Sequence, residues 1–278
     1  MPIFLLPVAI GGLALTALGL GVKRLLEESP SRPAFPQGTQ GREAWARHQQ
    51  ALEALRQSRQ RARDQARAYS EQQAASLRLA VDPFRELLER LERWEHASAA
   101  EVLTPLGAAA LSALPRGPGS RTERQAWALL GAGAVAQPAL PPVLEWLERG
   151  WLEEGAPPVV VAGVSLYPAA SCNPAPEDEA RAVRALNQAC EELGRVVAFL
   201  EAVHEALEAL NARVATLHGK ATAQLEYLDA ASFEEGRPEP RERLMRLGAL
   251  MSALAEALRL PVVQPSGELA PRPEPLAD

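Results

Sequence analysis

Four histidines, His48, His96, His204 and His218, and two cysteines, Cys172 and Cys190, are the side chains that could hold a metal, carry a proton or act as nucleophiles. Two isolated cysteines make neither a disulfide framework nor a close ligand pair, so reduced thiols are expected. His204 and His218 stand two heptads apart with Asn211 between them, about 21 Å along a helix, too far to share one ion. Their common phase suggests other chemistry. Polar residues on a coiled-coil seam set register, and two imidazoles charging there at mildly acidic pH would loosen the helix pair. The run His218-Gly219-Lys220-Ala221-Thr222 superficially resembles a phosphate loop, but a Walker pattern needs glycine where Val214 stands. Glu177-Asp178-Glu179 and Glu191-Glu192 read as a helix start and a solvated face. No catalytic, cofactor-binding or metal-binding residue is assigned, and the chain is expected not to be an enzyme.

Composition says what could position such residues. Aromatics are 5% of the 278 residues, and Ala, Leu, Glu and Arg dominate, which is the usage of long helices. The fold class expected is all-α with almost no strand; the best β-branched run is Val159-Val160-Val161, boxed in by Pro157-Pro158 and Gly163. A net charge of -6 argues against nucleic acid as a partner. One stretch is locally basic, and Arg56, Arg59, Arg63 and Arg67 are candidates for contact with anionic lipid, each contributing about 1 kcal/mol. The alternative is an ordinary solvated helix face.

The first 28 residues read as a transmembrane anchor. Ile3 to Val22 carries no charged side chain and reaches the ~20 residues that cross a bilayer as a helix. Nothing basic precedes it, as a secretory signal would require, and Lys23-Arg24 after it favours a cytoplasmic C-terminal bulk. Gly12/Thr16 and Ala17/Gly21 are small pairs that would let two spans approach closely. The rival reading is a buried or interfacial helix.

Residues 29–41 contain three prolines and two glycines and read as a flexible linker. A first helical arm follows over 42–96, with Trp45, His48, Leu52, Leu55, Arg59, Ala62, Ala66 and Tyr69 at alternating spacings of three and four. Asp82-Pro83 is expected to interrupt it before a second stretch carrying Phe84, Leu87, Leu88 and Leu91. Over 177–235 the alternation is unbroken: Val183, Leu186, Cys190, Leu193, Val197, Leu200, His204, Leu207, Asn211, Val214, His218, Ala221, Leu225 and Leu228. Such a stripe needs a partner helix, and an antiparallel coiled-coil hairpin with the first arm is expected; a homotypic coil is the alternative. A short amphipathic helix over 236–260 would pack on the hairpin, and the proline-rich tail 261–278 is expected to be disordered.

The middle, residues 97–176, is nearly free of charge over long stretches, and Pro138, Pro141 and Pro142 exclude a continuous membrane helix there. It is either a cap of short helices or a segment that inserts into lipid. The two readings differ in where Trp127, Trp146 and Trp151 go, into a core or into the headgroup layer. The order of parts, with Leu144-Glu145-Trp146-Leu147-Glu148-Arg149-Gly150-Trp151-Leu152-Glu153-Glu154-Gly155 at the centre and Phe84 to Leu91 before it, resembles a group of bacterial membrane-associated helical proteins sometimes labelled chemotaxis-like. In that group an L-x-W-L-x-x-G-x-L-x-x-G pattern sits between two long helices. The resemblance covers roughly residues 1 to 230 and implies the architecture, with no activity attached.

Taken together, these features lead to a membrane-anchored helical scaffold at the cytoplasmic face of a bacterial inner membrane. It would act through oligomerisation or a second helical protein, with lipid as the other partner and no small-molecule substrate or cofactor. The alternative is a membrane-perturbing effector whose uncharged middle inserts.

Overall fold

The computed structural model describes residues 38–93, 97–117, 119–134, 144, 146–147, 159–166, 179–229, 238–264 and 266–271. The elements are α1 (Thr39–Ser76), α2 (Asp82–Arg93), α3 (Ala99–Val102), α4 (Pro105–Ala113), α5 (Arg121–Leu130), β1 (Val159–Val161), β2 (Val164–Leu166), α6 (Glu179–Asp229) and α7 (Pro238–Arg259). The described chain is mostly helical, as the composition implies. No helix among the described residues is long and apolar enough to cross a membrane. The stretch expected to span one, Ile3 to Val22, lies outside them.

After Thr39, α1 contains neither proline nor a β-branched residue, so every position keeps its N–H donor and none carries a side chain branched at Cβ. Gly41, assigned to the linker, is already inside it. The expected break at Asp82-Pro83 does not occur. Pro83 lacks an N–H, and its ring would crowd the carbonyl four residues back. One widened turn, Leu77–Val81, accommodates it: the Asp82 N–H bonds the Leu77 carbonyl five residues back, and α2 continues.

The chain forms two compact units, unit 1 from Met1–Arg63, Pro141–Val203 and Ser266–Glu268, and unit 2 from Asp64–Leu140, His204–Pro265 and Leu269–Asp278. In unit 1 the buried stripe of α1 is Ala44, His48, Leu52, Leu55, Ser58 and Ala62. Ser58 takes the seam position expected of Arg59, whose guanidinium instead donates to the Leu147 carbonyl at 3.0 Å. On α6 the buried stripe is Leu186, Ala189, Leu193, Val196, Leu200 and Val203. Cys190 and Val197, expected on the seam, lie half-buried at its flank. Either set keeps a mean period of 3.5, and only the partner's position selects between them.

The two arms do not form the antiparallel hairpin expected. Arg61 of α1 reaches Glu201 of α6 at 3.4 Å, and the Arg47 guanidinium acts on the Cys190 thiol, so the two helices advance together and run parallel in unit 1. A heptad stripe fixes which face is buried and carries no information on the partner's direction. The residues between the arms are numerous enough to return the chain to its starting end.

The Val159–Leu166 segment is a two-stranded antiparallel hairpin, with Val160 opposite Ser165 and Val161 opposite Val164. Val161 and Val164 are buried while Val160 is exposed, the alternation of a half-buried strand. Its two-residue turn needs positive φ at both positions, and Ala162 (φ 51) shares that turn with Gly163 (φ 75). A Cβ is disfavoured there, so Ala162→Asn is expected to stabilise unit 1 by about 0.5–1 kcal/mol, read as a higher urea midpoint at unchanged slope. No change, or a lower midpoint, would contradict the turn geometry.

Unit 2 is a layered helical bundle. Arg90 near the end of α2 bonds Asp229 at the end of α6 (2.9 Å), and the Arg243 guanidinium of α7 lies 3.9 Å above the Tyr227 ring of α6. At its other end α7 meets Tyr69 and Gln73 of α1, so α7 runs back along the α1–α2 rod. Its apolar face, Leu244, Leu247, Met251, Leu254 and Leu258, is buried. Short helices α3 and α4 pack on it, and α5 ends beside its last turn. Ser98 and Glu101 form a reciprocal capping box on α3, and Ser120 and Glu123 form another on α5. Thr104 accepts from the Gly107 N–H at 3.0 Å to start α4.

Two close approaches bring α7 against this layer. A Cβ on Gly107 would overlap Ser252, and a Cβ on Gly248 would overlap the Val102 carbonyl oxygen. The tail also departs from expectation. Val262 and Val263 are buried, their N–H groups donate to the Leu129 carbonyl (2.8 and 2.9 Å), and Val263 bridges to Leu269. Two apolar β-branched side chains and their backbone bonds order residues that the proline content alone marks as disordered.

Candidate functional site

Burial separates the polar groups that the sequence places on the helix seams. His48 is 1% exposed, and neither ring nitrogen has a hydrogen-bond partner. Trp45, one turn away on α1, is the ring beside it, with centroids 5.7 Å apart. Burial pushes the His48 imidazole below its ordinary value. His204, Asn211 and His218 lie on the half-buried flank of α6, each with one buried atom lacking a partner. Desolvation also lowers His218. The His218 to Thr222 run is regular helix, with the Thr222 hydroxyl donating to the His218 carbonyl at 3.0 Å, and so forms no phosphate loop. Cys190 is half-buried, and burial is the main cause raising its thiol.

The arginines proposed for lipid contact are engaged with the protein to differing degrees. Arg56 pairs with Glu53 at 3.2 Å on the exposed face, Arg59 holds the Leu147 carbonyl, and Arg63 donates to Gln60. Arg67 is exposed. Both described tryptophans of the middle segment are in the core, Trp127 at 3% and Trp146 at 2% exposure. Trp151, Gly150 and Gly155 lie outside the described residues, as do Gly12, Thr16, Ala17, Gly21, Val22, Cys172 and His96. An open groove of about 600 Å³ follows one face of α6, lined by Arg184, Asn187, Gln188, Glu191, Glu192 and Arg195. Two arginines and two glutamates balance there, and Gln188 bonds Glu192 at 3.1 Å, the pattern of a solvated helix face. No group of three or more His, Cys, Asp or Glu among the described residues could hold a metal ion.

The best-organised polar cluster is one that sequence reasoning did not single out. A helix leaves its last four carbonyls without intrahelical donors, and three short or returning helices of unit 2 end against the α1–α2 rod. Gln73, fully buried, donates to the Trp127 carbonyl of α5 (3.2 Å) and the Leu258 carbonyl of α7 (3.3 Å). Tyr69 donates to the Ala257 carbonyl at 3.4 Å, and burial raises its phenol well above the usual range. Arg85 donates to the Leu111 (2.6 Å), Leu114 (2.9 Å) and Pro115 (3.1 Å) carbonyls at the end of α4, while pairing with Asp82 at 3.1 Å. The other Asp82 oxygen accepts the Gly117 N–H at 3.0 Å. A cation at a helix C-terminus also complements the helix dipole. The visible signal was a polar run, Ser70, Gln73 and Ser76, on the stripe that carries Ala66, Tyr69 and Leu77. These groups fasten helix ends to the rod, and their donors are spent on backbone oxygens.

No family model matches the chain, and neither the curated proteins nor the solved structures include a match.

Proposed function

We propose that the chain is a membrane-anchored helical scaffold that works by binding a second helical protein or another copy of itself at the cytoplasmic face of a bacterial inner membrane. The observation that carries this reading is the use of the buried polar groups. Gln73, Tyr69 and Arg85 join helix ends to a long rod, which makes a rigid body for presenting surfaces. Anchoring is assigned to Ile3 to Val22 on their uncharged length, and the resemblance to the bacterial helical group is consistent with it. Burial of Trp127 and Trp146 favours a cap over lipid insertion for the middle segment, and so favours the scaffold over the effector.

Cells expressing the full chain, or the chain lacking residues 1–24, are fractionated and then treated with a lysine- and cysteine-reactive crosslinker. The scaffold reading expects the full chain in the membrane pellet with a discrete crosslinked species, and the truncated chain in the supernatant. Dye release from anionic liposomes distinguishes the classes: the scaffold binds without leakage. Leakage that disappears in the Trp146→Glu/Trp151→Glu variant would replace it with the effector.

A further inference from the structure

We propose that the α1–α6 contact of unit 1 is an acid-operated latch whose trigger is His48, and that it opens while unit 2 stays folded. The inference goes beyond the scaffold reading and does not depend on it. Its basis is geometric. His48 sits on the buried stripe of α1, between Ala44 and Leu52, with both ring nitrogens enclosed and without an acceptor. Across from this part of α1 lies the stretch of α6 around Cys190, as the action of Arg47 on that thiol shows. The α6 stripe there is Leu186, Ala189 and Leu193, all buried and apolar, so these side chains offer a proton on His48 no hydrogen-bond acceptor; Asn187 Oδ1, an acceptor without a partner, lies at the flank of that stripe.

Among the described residues, the ionisable groups around this contact do not offset that cost. On α1, Arg47 is adjacent and would repel an imidazolium. On α6, Cys190 is neutral, its thiol raised chiefly by burial, and Glu191 is exposed to solvent, where water screens its charge. Leu144, Trp146 and Leu147, also buried in unit 1, contribute no ionisable side chain. The neutral ring is therefore tolerated and the charged ring is expelled. The folded imidazole titrates below the unfolded value of about 6.5. Stability from the neutral ring is thus complete above about pH 6.5 and declines as pH falls below it. The half-buried His204 and His218, which the sequence suggested for this role, belong to unit 2 and lie on the flank of α6.

Hydrogen exchange of the full-length chain at pH 7.5 and pH 5.0, corrected for intrinsic rates, tests the latch. Amides of residues 41–63 and 183–203 are expected to lose protection at least tenfold at pH 5.0, while those of 244–258 change less than twofold. His48→Leu and His48→Gln, which cannot charge, should each abolish the difference; the glutamine variant serves if the leucine variant repacks. A His204→Gln/His218→Gln variant should keep it. Equal loss in both units, or a loss that persists in both His48 variants, would overturn the proposal.

Discussion

Alanine at Gly248 is expected to destabilise unit 2 by about 2 kcal/mol, and leucine at the same position by about 4 kcal/mol, near the upper end for overpacking. Alanine ordinarily improves a helix interior by about 1 kcal/mol over glycine. Here its Cβ would overlap the Val102 carbonyl oxygen and lie 2.7 Å from Val102 Cγ1. A backbone oxygen cannot turn aside as a flexible side chain can, so α3 or α7 must shift. The internal control is Gly219 of α6, where nothing lies within 4 Å of a built Cβ; alanine there should stabilise by about 0.5–1 kcal/mol. Native-state hydrogen exchange on α7 amides measures both. A stabilising effect at Gly248, or effects of one sign at both positions, would mean that α7 does not pack against the Val102 carbonyl.

Arg85→Leu is expected to cost unit 2 about 3 kcal/mol, because it strips donors from three carbonyls at the end of α4 and leaves Asp82 without its cation. The Arg85 side chain is only 13% exposed, so water cannot fully replace the lost bonds. Arg85→Lys should recover less than half of the loss, since a single ammonium nitrogen lacks the planar two-nitrogen fork that reaches Leu111 and Pro115 together. Asp82→Asn should be milder, about 1 kcal/mol, because its amide can still accept the Gly117 N–H. Thermal melts of the four proteins rank these effects. Equal losses for Leu and Lys would point to charge alone, and no loss for Leu would remove Arg85 from the helix-end cluster.

The periodicity of the sequence carried the helical class, the burial of most leucines and the face each long helix hides. It could not carry direction. Leu186, Leu193 and Leu200 are buried whichever way α1 runs beside them, so it takes two points, Arg61 at Glu201 and Arg47 near Cys190, to separate a parallel pair from an antiparallel one. The choice between Cys190 and Ala189, or between Arg59 and Ser58, depends likewise on where the partner axis lies. Pro83 and the prolines of the tail show local propensity overridden by context: one widened turn carries the helix past Pro83, and burial of Val262 and Val263 orders the start of the tail. The roles of Gln73 and Arg85 were unreadable for a different reason. Their partners are main-chain carbonyls, which every residue has, so even where a polar run marks Gln73, nothing in the spacing of side chains announces what it binds.

The parallel register has a consequence for synthesis. Arg61 and Glu201 are 140 residues apart, so α1 leaves the ribosome long before its neighbour exists. At ~5–20 residues per second the greasy edge of the nascent α1 waits roughly 7–28 s for its cover. Loop-closure entropy must then be met before any contact rewards it. A holdase that grips Leu52 and Leu55 during this interval would raise the yield of soluble chain, and slowing elongation between codons 64 and 180 would lower it.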